Sequence, residues 1–263
     1  MELKDRTVVL TGASRGIGVA LARDLAATGC DLVLVARNAA GLAAVAAGIP
    51  GRVRVIAADV ATPEGRAAIL GAGPIDVLVN NAGVEIAVAL HEQTSEEIER
   101  QIAVNLLAPT LLTQAVLPGM IARGRGAVVM VSSMSGKSPT PYNSVYAATK
   151  HGLVGLVSSI RLELHDTGVT AGVVCPSFVA DAGMWADTGL QAPGALREVP
   201  LAKVVAGVRA AIDGAGEVLV TPGPIRPLLA LSALFPGLQG PVLRAMGVIE
   251  TLKARAVVTR RHV

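Results

Sequence analysis

The first glycine cluster of the chain reads Thr11-Gly12-Ala13-Ser14-Arg15-Gly16-Ile17-Gly18. An apolar β-branched run precedes it and an Ala/Leu-rich run follows it, which predicts a strand, a turn and a helix in succession. In that setting Gly12 permits a tight turn, Gly16 lets the backbone approach a bound group closely, and Gly18 allows the helix to pack closely on the strand. The amides at the helix N-terminus then face an anionic ligand, so the stretch predicts a turn that binds a pyrophosphate.

The same alternation of strand and helix continues along most of the chain. Predicted strands cover 7–11, 32–36, 53–57, 77–80, 127–132, 169–175 and 218–220, and predicted helices cover 17–28, 39–48, 95–123, 144–167 and 201–213, with a short helix begun at Thr62. Because these strands are apolar throughout, both of their faces are buried, as in a parallel sheet covered by helices. We therefore expect an α/β protein with a doubly wound parallel sheet, the Rossmann fold, in the strand order 3-2-1-4-5-6-7.

One domain is predicted over residues 1–220, followed by a C-terminal extension over 221–263. The extension has apolar runs at 228–235 and 242–249 and ends in the basic residues Lys253, Arg255, Arg260 and Arg261. Two arrangements fit this pattern. The apolar part covers the substrate cleft or a second copy of the chain, with the basic end in solvent, or the segment lies on an anionic membrane surface. We favour packing within a homodimer or homotetramer, with peripheral membrane contact as the alternative.

Composition excludes several functional classes. Apolar residues make up 52% of the chain and charged residues 16%, which is not typical of a disordered protein. The net charge of +3 comes from the chain end, so it gives no support for nucleic-acid binding. The two cysteines and four histidines lack metal-ligand spacing, and no metal site is expected. No signal peptide is visible and no apolar run approaches the roughly 20 residues that span a bilayer, so a cytoplasmic location is expected.

The end of the second predicted strand indicates which dinucleotide binds. An acid at this point accepts from the ribose 2′-hydroxyl of NAD, whereas an Arg pairs with the 2′-phosphate of NADP. The chain reads Ala36-Arg37-Asn38 with no acid, and Arg15 adds a second guanidinium in the glycine turn. We therefore expect NADP(H) rather than NAD(H). Asp59 and Val60, after the third strand, are placed to hold an adenine edge, although Asp59 is nearly as well explained as an ordinary strand-end acid.

Three residues further along the chain form a candidate acid–base group. Ser133 follows the fifth predicted strand, and Tyr146 and Lys150 are four residues apart, so they project from the same face of a helix. A free phenol has a pKa near 10 and is a poor base at neutral pH, but a nearby ammonium lowers that pKa. Tyr146 is then able to exchange a proton with an alcohol or carbonyl oxygen, while Ser133 hydrogen-bonds the same oxygen.

In this order the motifs resemble the short-chain dehydrogenase/reductase family, in its single-domain branch. The resemblance extends to about Val220 and rests on the glycine turn, Asp59, Asn80-Asn81-Ala82-Gly83, Asn105, Ser133, Tyr146 and Lys150. It implies that Asn105, Ser133, Tyr146 and Lys150 are catalytic, with Asn105 holding a water that links Lys150 to solvent. Together with the reasoning above, it gives a cofactor-binding set of Gly12, Ser14, Arg15, Gly16, Ile17, Gly18, Arg37, Asp59, Val60, Asn81, Ala82, Gly83, Tyr146, Lys150, Pro176 and Val179.

The chain departs from the family pattern after the sixth predicted strand, where it reads Pro176-Ser177-Phe178-Val179-Ala180-Asp181. Ser177 replaces the family's Gly, so the backbone there is less free to adopt a positive φ. Asp181 aligns with the family's Thr, which hydrogen-bonds the nicotinamide amide. These departures bear on cofactor affinity and ring orientation and remove no catalytic group.

The resemblance implies an NADP(H)-dependent oxidoreductase that transfers a hydride between nicotinamide and a ketone, aldehyde or secondary alcohol, with Tyr146 as the acid–base. The expected substrate is small and lipophilic, because its predicted lining is mostly apolar: Glu85, Met134, Ser135, Asn143, Phe178, Met184 and Trp185. The alternative is a cofactor-binding regulatory or assembly protein with little turnover, for which Ser177 and Asp181 are the support. A nucleotide-sugar dehydratase or epimerase uses the same Tyr/Lys pair, but resembles a longer chain with a substrate domain.

Overall fold

The computed structural model describes residues 1–193 and 196–260, and its centre is a seven-stranded sheet in the order β3-β2-β1-β4-β5-β6-β7. Every neighbouring pair of strands is parallel. The strands are β1 (Thr7–Thr11), β2 (Asp31–Ala36), β3 (Val53–Ala57), β4 (Val77–Asn80), β5 (Gly126–Val131), β6 (Val169–Pro176) and β7 (Glu217–Val220). This confirms the doubly wound parallel sheet and the strand order predicted from sequence.

Helices cover both faces of the sheet. They are α1 (Ile17–Ala26), α2 (Ala39–Ala47), α3 (Pro63–Leu70), α4 (Ser95–Ile102), α5 (Ala108–Ala122), α6 (Ser144–Glu163), α7 (Leu201–Ile212), α8 (Arg226–Leu234), α9 (Gln239–Ala245) and α10 (Val248–Arg260). The predicted helix 95–123 is α4 and α5 joined by one π-helical turn, Ala103–Leu107. The short helix expected after the third strand is α3, with Thr62 as its N-cap.

The core consists of two apolar layers, one on each face of the sheet. Leu10 of β1 belongs to the first layer, with α1 and α7, and Val9 belongs to the second, with α5 and α6. Successive side chains of a strand point to opposite faces, so a strand covered on both sides must be apolar at every position. This is the reason that the central strands read as unbroken apolar runs.

The sheet order reverses direction at β1, whose neighbours are β2 on one side and β4 on the other. The connections from these strands leave toward opposite faces, and a crevice opens at their carboxyl ends. The glycine turn after β1, the loop after β4 and the segment after β5 all meet there. The fold therefore brings the predicted site residues to one edge of the sheet.

Among the described residues one helix, Ser95–Ala122, has the length and apolar composition of a membrane span. The pair Arg226–Leu234 and Pro236–Ala245, bent by 115°, reaches them only if it is counted as a single span. This differs from the sequence expectation that nothing approaches spanning length. The first segment lies against the sheet, and its Leu112, Val116 and Met120 are buried in the second core layer. Its apolarity is therefore explained by the core.

The C-terminal extension folds back over the carboxyl ends of the strands as α8, α9 and α10. Lys253 of α10 is exposed, but Arg255 is only 8% exposed. The expectation of a basic end that lies entirely in solvent is therefore wrong for Arg255, because this side chain has a buried partner. Arg261 lies outside the described residues, as does the remainder of the chain end.

Candidate active site

A cavity of about 890 Å³ opens at the carboxyl ends of the strands and continues beneath the C-terminal extension. All the residues predicted to bind the cofactor line it: Gly12, Ser14, Arg15, Gly16, Ile17, Gly18, Arg37, Asp59, Val60, Asn81, Ala82, Gly83, Tyr146, Lys150, Pro176 and Val179. Ser133 lines it as well. The fold thus brings to one cavity the glycine turn and the acid–base group that the sequence analysis identified separately.

The glycine turn has a shape that only glycine allows at its key positions. Gly12 and Gly16 have φ of 69° and 57°. A Cβ on Gly12 would lie 2.7 Å from the Cα of Ala82, and one on Gly18 would lie 2.1 Å from the carbonyl oxygen of Gly12. The turn therefore packs directly against the end of β4 and against the first turn of α1, as its spacing predicted.

The loop after β4 holds this turn in place. The side-chain amide of Asn81 donates to the carbonyl oxygens of Thr11 and Gly12, at 3.0 and 3.1 Å. The Thr11 hydroxyl accepts from the backbone amides of Asn81 and Ala82, at 3.1 and 3.0 Å. Within the described chain no side chain caps the N-terminus of α1, so its first amides are free to bind a phosphate. The turn fits a dinucleotide.

Two guanidinium groups flank the adenosine end of the cavity. Arg37 is exposed at the end of β2, and Arg15 forms an exposed ion pair of 2.8 Å with Asp187. Exposed pairs of this kind contribute about 1 kcal/mol or less, so Arg15 can exchange this partner for a phosphate. Asp59 pairs with Arg100 at 2.8 Å and accepts from the amide of Ala61 at 2.9 Å. Burial by itself raises the pKa of Asp59, but these two donors outweigh burial and lower it.

The acid–base group is enclosed by protein. Tyr146 and Lys150 lie on one face of α6 and are 9% and 4% exposed. The Lys150 ammonium is 5.3 Å from the centroid of the Tyr146 ring and donates to the carbonyl oxygen of Val131 at 2.9 Å. Ser133, just beyond β5, lies close enough to the Tyr146 phenol to lower its pKa, and its hydroxyl accepts from the amide of Ser135 at 3.1 Å. A carbonyl oxygen placed at the Tyr146 hydroxyl would also be within reach of Ser133.

The protein environment raises the pKa of Tyr146, opposite to the direction expected from sequence, and it also shifts the pKa of Lys150. Burial raises the pKa of the Tyr146 phenol, and the Glu85 carboxylate raises it further, while Arg255 and the Ser133 hydrogen bond partly offset both effects. Burial lowers the pKa of Lys150 to about 8, against an opposing effect of Glu85. The expectation that Lys150 lowers the Tyr146 pKa below its usual value is therefore wrong, because burial raises that pKa. The phenol therefore keeps its proton at neutral pH and is set up as a donor.

Asn105 lies behind the cavity wall, in the π-helical turn between α4 and α5. Its side chain accepts from the amide of Val84 and donates to the Val84 carbonyl oxygen, both at 2.8 Å, and also donates to Thr149 at 3.3 Å. Its polar groups thus fix the loop after β4 beside α6. The water-holding role implied by the family remains a prediction.

The sequence analysis missed Arg255, which the structure places in the cavity wall. Its guanidinium forms a two-point ion pair with Glu85, at 2.8 and 2.5 Å, and the two side chains are 9% and 7% exposed. A signal was present, because Arg255 shares one face of α10 with the buried Val248 and Leu252. An Arg on the apolar face of a helix needs a buried carboxylate partner. Asn143, predicted to line the cavity, lies behind Glu85 and donates to it.

The departures from the family pattern after β6 have different consequences. The Ser177 amide donates to the Val220 carbonyl oxygen at 2.9 Å. Ser177 does not belong to the described non-glycine residues that have a positive φ. The expected backbone restriction at Ser177 therefore has no effect here. Asp181 has a φ of 54°, so it is Asp181, and not Ser177, whose backbone is in the left-handed region. No group of three or more metal-ligating side chains occurs among the residues that the structure describes.

The chain is similar to known proteins over most of its length. A family model described as short chain dehydrogenase matches residues 6–192. The chain is 38% identical over 269 residues to the ketoacyl reductase HetN of Nostoc sp., with 97% of this chain and 93% of the relative covered. A short-chain dehydrogenase from Sphingobium yanoikuyae in complex with NADPH has a TM-score of 0.77 at 31% identity, covering 89% of this chain and 95% of that one. A metagenomic short-chain oxidoreductase in complex with NADP has a TM-score of 0.68 at 38% identity, covering 85% and 100%.

Proposed function

This chain belongs to the short-chain dehydrogenase family of oxidoreductases, which act on CH–OH or keto groups, and we propose that it reduces a lipophilic ketoacyl compound with NADPH. The observation that carries the proposal is the cavity itself. At one end the cavity has the glycine turn and two arginines, and at the other it has a protonated Tyr146 facing apolar walls. A dinucleotide and an acyl chain fit these two ends.

The choice of NADPH rests on the residues at the adenosine end. The amides of the glycine turn and of α1 would hold the pyrophosphate, and Arg15 and Arg37 would hold the 2′-phosphate. At the end of β2, where NAD-binding chains carry an acid, this chain has Ala36 and Arg37. The NADP and NADPH in the two solved relatives support the same choice. When bound, NADPH supplies the hydride.

The protein residues supply the proton and the charge stabilisation. The Tyr146 hydroxyl donates its proton to the carbonyl oxygen as the carbonyl carbon is reduced, which yields the alcohol. Ser133 donates a hydrogen bond to the same oxygen while negative charge develops on it. Lys150, with its pKa lowered to about 8, is able to exchange a proton near neutral pH and restores the proton of Tyr146. The raised pKa of Tyr146 favours the reductive direction, because the phenol starts protonated.

The substrate class rests on the far wall of the cavity, which the C-terminal extension supplies. Apolar side chains from α8, α9 and α10 lie there: Leu228, Leu229, Val242, Leu243, Met246, Val248 and Leu252. Phe178 and Trp185 pack beside them, with ring centroids 4.3 Å apart. A sugar would leave such walls uncovered, whereas an acyl chain buries them. The alignment with the Nostoc ketoacyl reductase covers 97% of this chain and so includes the extension.

The test is the consumption of NADPH, followed by its absorbance, with 3-ketoacyl thioesters of increasing chain length. We expect turnover that rises with chain length and falls strongly when NADH replaces NADPH. A nucleotide sugar serves as the control compound, which should not be reduced. If NADPH binds in a titration but no lipophilic ketone is reduced, the chain is instead the cofactor-binding regulatory protein considered above.

The oligomeric state and the location of the protein remain predictions. The end of α8 and the turn between α8 and α9 expose Leu231, Leu234, Phe235 and Leu238, between 46% and 74% of each residue. A cluster of large apolar side chains of this kind marks an interaction surface. We propose that a second copy of the chain covers it, and that the protein acts in the cytoplasm.

A further inference from the structure

The Glu85–Arg255 ion pair joins two parts of the chain that are 170 residues apart. Glu85 lies in the loop after β4, and Arg255 lies on α10, beyond the last strand of the sheet. Each side chain is less than 10% exposed, at the substrate end of the cavity. Removing two charges from water is costly, so a buried pair of this kind is weak evidence for stability and calls for another role.

Four segments of the chain meet at this pair. Asn143, the residue before α6, donates to Glu85, and Arg255 also donates to the carbonyl oxygen of Met184 at 3.2 Å. The Arg255 guanidinium lies 5.5 Å from the centroid of the Trp185 ring. The pair therefore links α10 to the loop after β4, to the start of the helix that carries Tyr146, and to the segment after β6.

The pair also adjusts the charge around the proton donor. The charged or titratable groups that face Tyr146 are Glu85 from the loop after β4, Arg255 from α10 and Cys175 from β6, besides Lys150 on its own helix. Glu85 raises the pKa of Tyr146 and Arg255 lowers it. Without Arg255, the Glu85 carboxylate would act on the phenol with no positive charge beside it.

We propose that Arg255 is a positioning residue of the reductase site, which fixes α10 over the substrate end of the cavity and neutralises Glu85 beside Tyr146. This inference rests on the proposed reductase function. It means that the four family residues are not sufficient for activity, because the site is complete only when the extension has docked. Arg255 acts through Glu85 and contacts no reacting atom in this arrangement.

The experiment compares Arg255→Met, Arg255→Lys, Glu85→Gln and the double variant Glu85→Gln/Arg255→Met, with Lys253→Met as the control. Lys253 is an exposed basic residue on the same helix, so its removal changes the net charge equally without breaking the pair. For each variant, kcat, KM and the pH profile of kcat/KM are measured for the best ketoacyl substrate. NADPH affinity is measured by titration as a check on folding.

In Arg255→Met we expect kcat to fall at least about 10-fold with KM changed less than about 3-fold. The high-pH limb of the profile, set by Lys150 with its pKa of about 8, should move to higher pH, because an unpaired Glu85 carboxylate favours the charged ammonium. The double variant removes both charges and should return the limb toward the wild-type position, but its kcat should stay low, because the pair that fixes α10 is still absent. Arg255→Lys keeps the charge and should lie between Arg255→Met and wild type. A wild-type pH profile in Arg255→Met would overturn the neutralising role, and wild-type kcat in the double variant would overturn the positioning role.

A second readout needs no turnover. Trp185 is the single tryptophan of the chain, so its fluorescence reports on the contact with Arg255 directly. Acrylamide should quench Trp185 at least about twofold more strongly in Arg255→Met than in wild type or Lys253→Met. Equal quenching would show that α10 stays docked without Arg255 and would overturn the positioning role. If wild type reduces no ketone, the proposed function fails, and the quenching still decides whether Arg255 fixes α10.

Discussion

Asn105 and Val84 share two hydrogen bonds of 2.8 Å, in which the Asn105 side chain accepts from the Val84 amide and donates to the Val84 carbonyl oxygen. The side-chain amide of Asn105 thus pairs with the Val84 backbone as a neighbouring strand would, although Asn105 lies in a helix. It is possible because the π-helical turn Ala103–Leu107 turns this side chain toward the loop after β4. That loop carries Gly83 on the cofactor side and Glu85 on the substrate side, so Asn105 fixes both ends of the cavity.

Replacing Asn105 with Ala should lower stability as well as activity. The change leaves the amide and carbonyl of Val84 without partners, and each buried unsatisfied group costs about 1–3 kcal/mol. At roughly 2–4 °C per kcal/mol for a chain of this size, the Tm should fall by several degrees. Differential scanning calorimetry checks this, with the exposed Gln114→Ala on α5 as the control. An unchanged Tm would show that water replaces the lost partners.

Replacing Tyr146 with Phe should abolish most turnover while NADPH still binds. The change removes the proton donor and keeps the ring, and general acid–base contributions are about 10²–10⁴-fold in rate. Stopped assays at high enzyme concentration measure the residual kcat, and fluorescence titration measures NADPH affinity. Tyr142→Phe is the matched control, since Tyr142 is the other tyrosine of the chain. Residual turnover within about 10-fold of wild type would exclude Tyr146 as the donor.

Reversing the charge at Arg37 should weaken NADPH binding far more than NADH binding. A hydrogen bond to a charged group contributes about 1.5–3 kcal/mol, so KM for NADPH should rise roughly 10- to 100-fold in Arg37→Glu. KM for NADH should change little, because a 2′-hydroxyl carries no charge. Arg23→Glu is the control for net charge, because Arg23 is exposed in the last turn of α1, away from the glycine turn. Equal affinities of the wild-type protein for the two cofactors would contradict the assignment.

The stability of the protein should depend on pH through Lys150. Burial lowers its pKa from 10.5 to about 8. Between these two values the unfolded chain holds the Lys150 proton and the folded chain does not, so the contribution of Lys150 to the free energy of unfolding should rise with pH, by up to about 3 kcal/mol. Below about pH 8 both states hold the proton and the effect is constant. Urea unfolding of wild type and Lys150→Met at several pH values from 8 to 10 tests this in the difference between the two proteins, because the buried Cys175 thiol, with its pKa raised to about 12, gives both of them an opposite slope.

Introducing serine at both Leu234 and Phe235 should weaken self-association without affecting the site. These side chains are 74% and 55% exposed, so the change costs little in the single chain but removes apolar contact with a second copy. Sedimentation velocity should show the smaller species, with NADPH affinity unchanged.

The wild-type and substituted proteins are then sedimented with anionic and neutral vesicles. Salt-sensitive binding to anionic vesicles that these substitutions abolish, with no change in oligomeric state, would favour the membrane arrangement.

The boundaries of most strands follow closely from the sequence. β1, β3 and β4 have the predicted ends, and the other strands differ by a residue or so. A strand that is covered on both faces must be apolar at every position, and its ends are marked by turn residues, so local composition specifies it. The glycine turn, Ser133, Tyr146 and Lys150 are likewise recognisable, because their spacing reflects local backbone geometry.

Other features are decided by contacts between distant parts of the chain. The π-helical turn at Ala103–Leu107 is not visible in the apolar pattern of residues 95–123, because one extra residue in a helical turn leaves the composition unchanged. The partner of Arg255 is Glu85, and no local pattern connects residues that far apart. The direction of the Tyr146 pKa shift depends on how completely the phenol is buried, which sequence spacing does not measure.

The sequence by itself therefore determined the strands of the sheet, the turn that fits a pyrophosphate and the candidate Tyr146/Lys150 pair, because each depends on residues within a few positions of one another. Only the tertiary structure decided that the extension closes the cavity, that Arg255 belongs to the site and that Tyr146 keeps its proton. The physical reason is that burial and charge pairing are set by how far apart groups lie in space, and folding fixes those distances independently of separation along the chain.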